Sequence, residues 1–344
     1  MKFKKRTEQV QILVPPDFTP EIQKIEHRLD PLTGSRCLIN IKRSQRAKQA
    51  ERLARPLDEI AFGTAPGCYF CPEHIQTATP RFPEDICLGG RISKGESTLF
   101  PNLFAFGGYH AVATISRKHF LNIDEFTPRM IEDNLTVCIE WMRAVHRKTP
   151  RAAWPVYVWN HMPPSGASMV HPHTQALVRT MPTAMQERLL KRSAAYHRRK
   201  GRSFWEELIE TERKSGERFI GENDSLAILA SFAPRGFREI QLIFHEPSNL
   251  AELGEKQIAD LASAVISVLK GYRAMGVGSF NLNVFSGPIG QTLEYYPLNA
   301  KMISRPYPQG VYSSDTGPFE RLQDEWVIET LPEDVANRMR PFFR

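Results

Sequence analysis

Two histidines and a glutamine stand at alternate positions in the run His171-Pro172-His173-Thr174-Gln175. On a β-strand the period of two sends these three side chains to one face and Pro172, Thr174 and Ala176 to the other. Three polar groups on one face serve a core poorly and a site well. Imidazole is a competent nucleophile toward phosphorus because much of it is neutral near pH 7. A neutral amide beside it, Gln175, can donate a hydrogen bond to a phosphoryl oxygen without adding a second titrating group. Just upstream, Ser165-Gly166-Ala167-Ser168 is a run of small residues whose backbone N–H groups could approach an anion closely. The bland alternative is a pair of histidines satisfying each other on a half-buried strand. The glutamine, the small-residue loop and a set of metal-ligand types elsewhere weigh against it.

Those ligand types begin with Cys68-Tyr69-Phe70-Cys71, a C-x-x-C in a turn-like setting after Pro66-Gly67. A redox pair would want a strand before it and a helix after it, which Pro66-Gly67 and Pro72 disfavour. No second C-x-x-C exists, so distant residues must complete a zinc site. His119 and His171 are available, and His74 is a rival. A Cys2His2 set is closed and tetrahedral, hence structural rather than catalytic.

The elements that must position these residues are organised by a degenerate repeat. In the first half, Tyr109–Ile115 reads as a strand, 121–126 as a loop, and Ile131, Leu135, Cys138, Met142 and Val145 step along a helix face. In the second, Phe237–Phe244 is strand-like, Asn249–Leu253 matches the loop, and Ile258, Leu261, Val265, Leu269 and Tyr272 repeat the helical spacing. Each helix leads into a β-rich segment, 156–159 and 280–285. The predicted fold class is α+β: two duplicated halves, each a mostly antiparallel sheet with a helix packed across it. The division falls at 1–190 and 191–344.

A chain of 344 residues can bury a substantial core, and 41% hydrophobic with 24% charged residues is ordinary for a soluble globular protein. No apolar run is long enough to span a membrane, and the basic N-terminus has no apolar stretch after it, so no export signal is expected. Five scattered cysteines make no disulfide framework, which points to the cytoplasm. The net charge of +7 suits phosphate-bearing ligands. Its densest run, residues 191–202, reads as a solvated helix face. A zinc-stabilised nucleic-acid-binding protein is the remote alternative, since it has no use for Gln175 or the small-residue loop.

At these residues the chain resembles the galactose-1-phosphate uridylyltransferase family, the transferase branch of the histidine-triad superfamily. Arg28-Leu-Asp-Pro-Leu-Thr-Gly34 with the later Arg43 and Arg46 is similar to the family's opening segment, Phe100-Pro-Asn-Leu-Phe104 to its nucleoside-binding segment, and His171-Pro-His-Thr-Gln175 to its active-site motif. The resemblance implies a histidine-triad-like fold in each half, His173 as nucleophile, and Gln175 holding the phosphoryl oxygens. It further implies phosphate contacts from Ser168, Arg43 and Arg46, with Gly166 keeping the motif's spacing and Asn102 and Asn160 near the nucleotide. Cys68, Cys71, His119 and His171 would bind one structural zinc per chain. A nucleotide sugar and a phosphorylated small-molecule acceptor would be the substrates of a cytoplasmic homodimer, with no nucleic-acid or membrane partner. Inorganic phosphate as acceptor, hence a nucleoside diphosphate sugar or dinucleoside polyphosphate phosphorylase, is the alternative. The second half departs from the family. Ser286 and the stretch Leu293–Met302 lack the histidines common there, which implies no second metal and a reshaped acceptor pocket.

Overall fold

The alternating and helical patterns become fourteen strands and eight α-helices in a computed structural model that describes residues 1–46, 57–308 and 314–343. The strands are β1 (Lys4–Val14), β2 (Thr19–Leu29), β3 (Arg36–Ile39), β4 (Ile92–Lys94), β5 (Ser97–Pro101), β6 (Tyr109–Thr114) and β7 (Trp154–His161). They continue with β8 (His173–Arg179), β9 (Phe219–Glu222), β10 (Leu226–Ala230), β11 (Phe237–Phe244), β12 (Phe280–Phe285), β13 (Asn299–Ser304) and β14 (Glu325–Ile328). The helices are α1 (Leu57–Thr64), α2 (Ile75–Ala78), α3 (Pro128–Lys148), α4 (Ala184–Lys200), α5 (Phe204–Ser215), α6 (Glu255–Ala274), α7 (Pro318–Leu322) and α8 (Pro332–Met339).

Ten strands form one sheet in the order β4-β5-β6-β8-β7-β12-β13-β11-β10-β9, antiparallel throughout. Counted inward from either edge, each half places its first, second, third, fifth and fourth strands in that sequence, so the repeat is visible in the topology. The halves join through β7 and β12, with Asn160 opposite Asn281. A second sheet, β1-β2-β3-β14, pairs the start of the chain with its C-terminal part, β14 running parallel to β3.

One sheet face is covered by α3 and α6, which also touch each other. Thr127 caps α3 and Pro128 opens it, where a missing N–H costs nothing. All five α3 residues picked out by the spacing are at most 2% exposed, and those of α6 at most 7%. They share one core with Ala111, Trp159, Leu282 and Ala300 of the sheet. Burying a large aliphatic or aromatic side chain contributes about 1.5–3 kcal/mol, so this face holds the fold. The opposite face differs between the halves. Over the second half, α4 and α5 cover it, with Phe204, Trp205 and Leu208 on Leu229 and Ile243. Over the first half, the segment around Phe70 and Ile75 packs on Phe100 and Val112, and His173 and Gln175 project beside it.

The basic stretch 191–202 lies mostly on α4, where Lys191 pairs with Glu187 and Arg199 lies over Tyr196; Arg202, just beyond, pairs with Glu210. Among the described residues, no helix is long and apolar enough to cross a membrane.

Candidate active site

Cys68, Cys71, His119 and His171 come together from a turn, the loop after β6 and the approach to β8, with one potential ligand atom from each within 4.8 Å of the others. Cys71 Sγ is 3.4 Å from His119 Nδ1 and 3.6 Å from His171 Nδ1, and Cys68 Sγ is 3.9 Å from His171 Nδ1. The outer nitrogens are spoken for. His171 Nε2 donates to the Ser116 carbonyl at 2.8 Å, and His119 Nε2 donates to Thr64 Oγ1 at 3.0 Å. Thr64 accepts because its own proton goes to the carbonyls of Ile60 and Ala61. With protons held on Nε2, both Nδ1 lone pairs face the sulfurs. Zinc with Zn–S of about 2.3 Å and Zn–N of about 2.0 Å sets tetrahedral S–N separations near ~3.5 Å, so the residues present fit that ion. Burial, then the neighbouring Cys68, pushes the Cys71 thiol up to about 12, and burial above all takes His171 down to about 4. Binding of zinc displaces thiol protons, so the ion would supply the charge that two sulfur ligands and two neutral imidazoles need. His74 is exposed and outside the group.

His173 is 5% exposed. Its Nδ1 donates to the His171 carbonyl at 2.8 Å, which leaves the Nε2 lone pair as the reactive one. Burial holds its pKa below the usual histidine value, so the ring is neutral near pH 7. Phe70, inside the C-x-x-C, packs edge-on against both His171 and His173. Sequence spacing puts both histidines on one strand, but the strand begins at His173. Pro172 has no N–H for the ladder and only its carbonyl pairs, with Ile115 N.

Gln175 is oriented by a residue the sequence reading passes over. His110 Nε2 donates to Gln175 Oε1 at 2.8 Å. The amide oxygen is thereby engaged, and the amide N–H groups remain as donors. His110 sits on β6 two residues from Val112, the residue opposite Gln175, and so on the same face. The same alternation that selected His171 and His173 selects His110, Val112 and Thr114 on the neighbouring strand, so the signal was present. Phe106 packs on His110 with ring centres 4.4 Å apart, and Asn102 Oδ1 accepts from Phe104 N. Leu103, Phe104 and Phe106 are all more than two-thirds exposed, an apolar segment beside the histidine.

Asn160 is the penultimate residue of β7, near the loop. Its Oδ1 accepts from Asn281 at 2.6 Å, and Asn281 also donates to the Ser165 carbonyl at 2.8 Å. Asn281 is a second functional candidate without a sequence signal, since only the β7–β12 register brings it there. Gly166 has φ of +92°, a left-handed conformation that favours glycine, and Ser168 is exposed just after it. Arg43 and Arg46 line a shallow depression with Asp315 and Glu320, and Arg46 lies 3.8 Å from Glu329. Asp315 binds Arg305, which donates to Asn281 Oδ1, so one side chain links the wall of that depression to Asn281. Ser286 is a structural hydroxyl, donating to the Gly287 carbonyl and accepting from Leu250 N.

No family model matches the chain. An uncharacterized protein of Archaeoglobus fulgidus is 28% identical over 342 residues, spanning 99% of this chain and 98% of its own. Among solved structures, an ADP-glucose phosphorylase from Arabidopsis thaliana with bound ADP-glucose superposes with a TM-score of 0.70 at 18% identity. A galt-like protein from Arabidopsis thaliana and a uridylyltransferase each give 0.67, at 19% and 20% identity. Each of the three covers 92% of this chain and 98% of its own. The chain has their fold.

Proposed function

We propose that this protein is a nucleotidyltransferase, a divergent relative of the uridylyltransferases, working through a covalent nucleotidyl-histidine on His173. The observation that carries it is the pairing of a buried imidazole whose Nε2 lone pair is free with an amide whose oxygen is already engaged. His173 Nε2 forms a bond to the α-phosphorus of a nucleoside diphosphate sugar or similar pyrophosphate as the bond to the bridging oxygen breaks, and the leaving group departs as a phosphate. Gln175 N–H donates to a non-bridging oxygen, and the loop at Gly166–Ser168 approaches the phosphate. The proton stays on His173 Nδ1, hydrogen-bonded to the His171 carbonyl, throughout. A phosphorylated acceptor then takes the nucleotidyl group from Nε2.

One structural zinc per chain, held by Cys68, Cys71, His119 and His171, would lock the His171 ring and hence the carbonyl that orients His173. Residues 1–190 would carry this chemistry and residues 191–344 complete the acceptor side. Asn102 and Asn160 would contact the nucleotide. Arg43 and Arg46 would contact phosphates, and the protein would act as a homodimer. A cytoplasmic location and the absence of a nucleic-acid partner complete the proposal.

The test is intermediate trapping. Incubated with a panel of nucleotide sugars and no acceptor, the protein gains one nucleoside monophosphate by intact mass, labile to acid and stable to base. His173→Gly loses the adduct and keeps the metal. An adduct that persists in His173→Gly places the nucleophile elsewhere. Chasing the isolated adduct with a sugar 1-phosphate or with inorganic phosphate separates transferase from phosphorylase.

A further inference from the structure

The second half contains a cavity that the chemistry on His173 does not use. It encloses about 210 Å³ between β11–β13 and the helices α4 and α5. Asn281 and Ile303, opposite one another on β12 and β13, line it, and Asn160 is Asn281's partner in the other direction. The cavity therefore shares a wall residue with the loop of the candidate active site.

Its polar groups are unusual for a packing defect. Glu212, on α5, is 1% exposed; its Oε1 accepts from Arg218 Nε at 2.8 Å, but its Oε2 is buried without a partner. Trp326 Nε1, on β14, and Arg235 Nε are likewise buried and unpartnered, and the Arg235 guanidinium lies 4.8 Å from the Trp326 ring centre. All three residues line the cavity. An orphaned buried polar atom costs about 1–3 kcal/mol, so three around one cavity favour a ligand that pairs with two donors and one acceptor.

Shape and charge narrow the ligand. Phe204, Trp205, Leu208 and Phe232 make the walls mostly apolar. Of the charged lining residues, Lys301 pairs with Glu239 at 2.7 Å and Glu212 with Arg218 at 2.8 Å, which leaves Asp30 against Arg235. With its charges balanced, the lining favours an uncharged ligand over a phosphate. A dry cavity of about 150 Å³ with similar walls accepts benzene, so this one suits two fused rings. We propose that the second half binds an uncharged bicyclic ligand of the lactam or cyclic-amide class, its carbonyl on Trp326 Nε1 and Arg235 Nε and its N–H on Glu212 Oε2.

The probe is oxindole, titrated calorimetrically into the full-length protein and into Trp326→Phe and Leu208→Trp. One site per chain is expected in the wild type, and Leu208→Trp, which fills the space, abolishes it. Trp326→Phe keeps an aromatic ring for Arg235 and removes the indole N–H, so oxindole binds about two- to thirteenfold more weakly, the worth of one net hydrogen bond. His173→Gly binds oxindole unchanged, which separates this site from the transfer chemistry. No binding up to the solubility limit, an affinity indifferent to Trp326→Phe, or a crystal soak showing only ordered water in the cavity would overturn the proposal.

Discussion

Replacing His110 by Phe tests whether the Gln175 amide is held or merely present. The substitution removes the 2.8 Å hydrogen bond from Nε2 to Gln175 Oε1. It keeps a ring against Phe106 and removes Nδ1, a buried nitrogen without a partner, so the fold should lose little. A net hydrogen bond is worth about 0.5–1.5 kcal/mol, and losing the orientation it imposes should slow nucleotidylation of His173 about two- to thirteenfold. Deleting an oxyanion donor outright usually costs roughly 100- to 1000-fold, and Gln175→Ala should fall in that range. Because His110 orients the amide of Gln175, and its Nε2 otherwise faces Asn102 Nδ2 at 3.2 Å, His110→Phe should cost less on the Gln175→Ala background than in the wild type. Single-turnover adduct formation, quenched in base and read by intact mass, measures all four rates. Equal cost of His110→Phe on both backgrounds would refute the coupling, and a loss of folded protein in the single variant would refute the claim that Phe is tolerated.

Purified protein should carry about one zinc per chain by metal analysis, and Cys68→Ser should lose both metal and a large part of the folding free energy, since a structural site contributes on the order of 10 kcal/mol; fully folded, chelator-free protein without zinc would contradict the site. His161 is buried against Phe280 and held down to about 3, by burial first and then by His173. Its folded pKa lies below the unfolded value, so the unfolded chain binds the extra proton and stability falls as pH drops below about 6.5. From pH 8 to pH 5 this group should remove about 2 kcal/mol, a loss absent from His161→Phe; parallel urea midpoints for the two proteins would show that the ring is already charged or already exposed. Gly166→Ala places a side chain at φ +92°, costing roughly 1–2 kcal/mol and displacing Ser168; adduct formation should drop more than the unfolding free energy, and an unchanged rate would remove the loop from the phosphate site.

Much of the fold is local and therefore legible in the chain. The spacing of Ile131 to Val145 and of Ile258 to Tyr272 predicts the faces that α3 and α6 bury, and the strand readings at 237–244 and 280–285 coincide with β11 and β12. Burial periodicity is written into consecutive residues, so it survives without tertiary information. That His173 and Gln175 share a face is legible for the same reason, since residues two apart on one strand point the same way whatever surrounds them. What joins distant segments is not. The choice of His119 over His74 at the cysteines depends on a loop closing across the sheet, and the tautomers depend on Ser116 and Thr64. His110 and Asn281 acquire their roles only through the β6–β8 and β7–β12 registers. Arg43 and Arg46 look like phosphate ligands by type, yet the pairing of β3 with β14 carries them toward Asp315, Glu320 and Glu329. A side chain's chemistry belongs to its residue, whereas its partner belongs to the strand register and loop closure that only the assembled sheets decide.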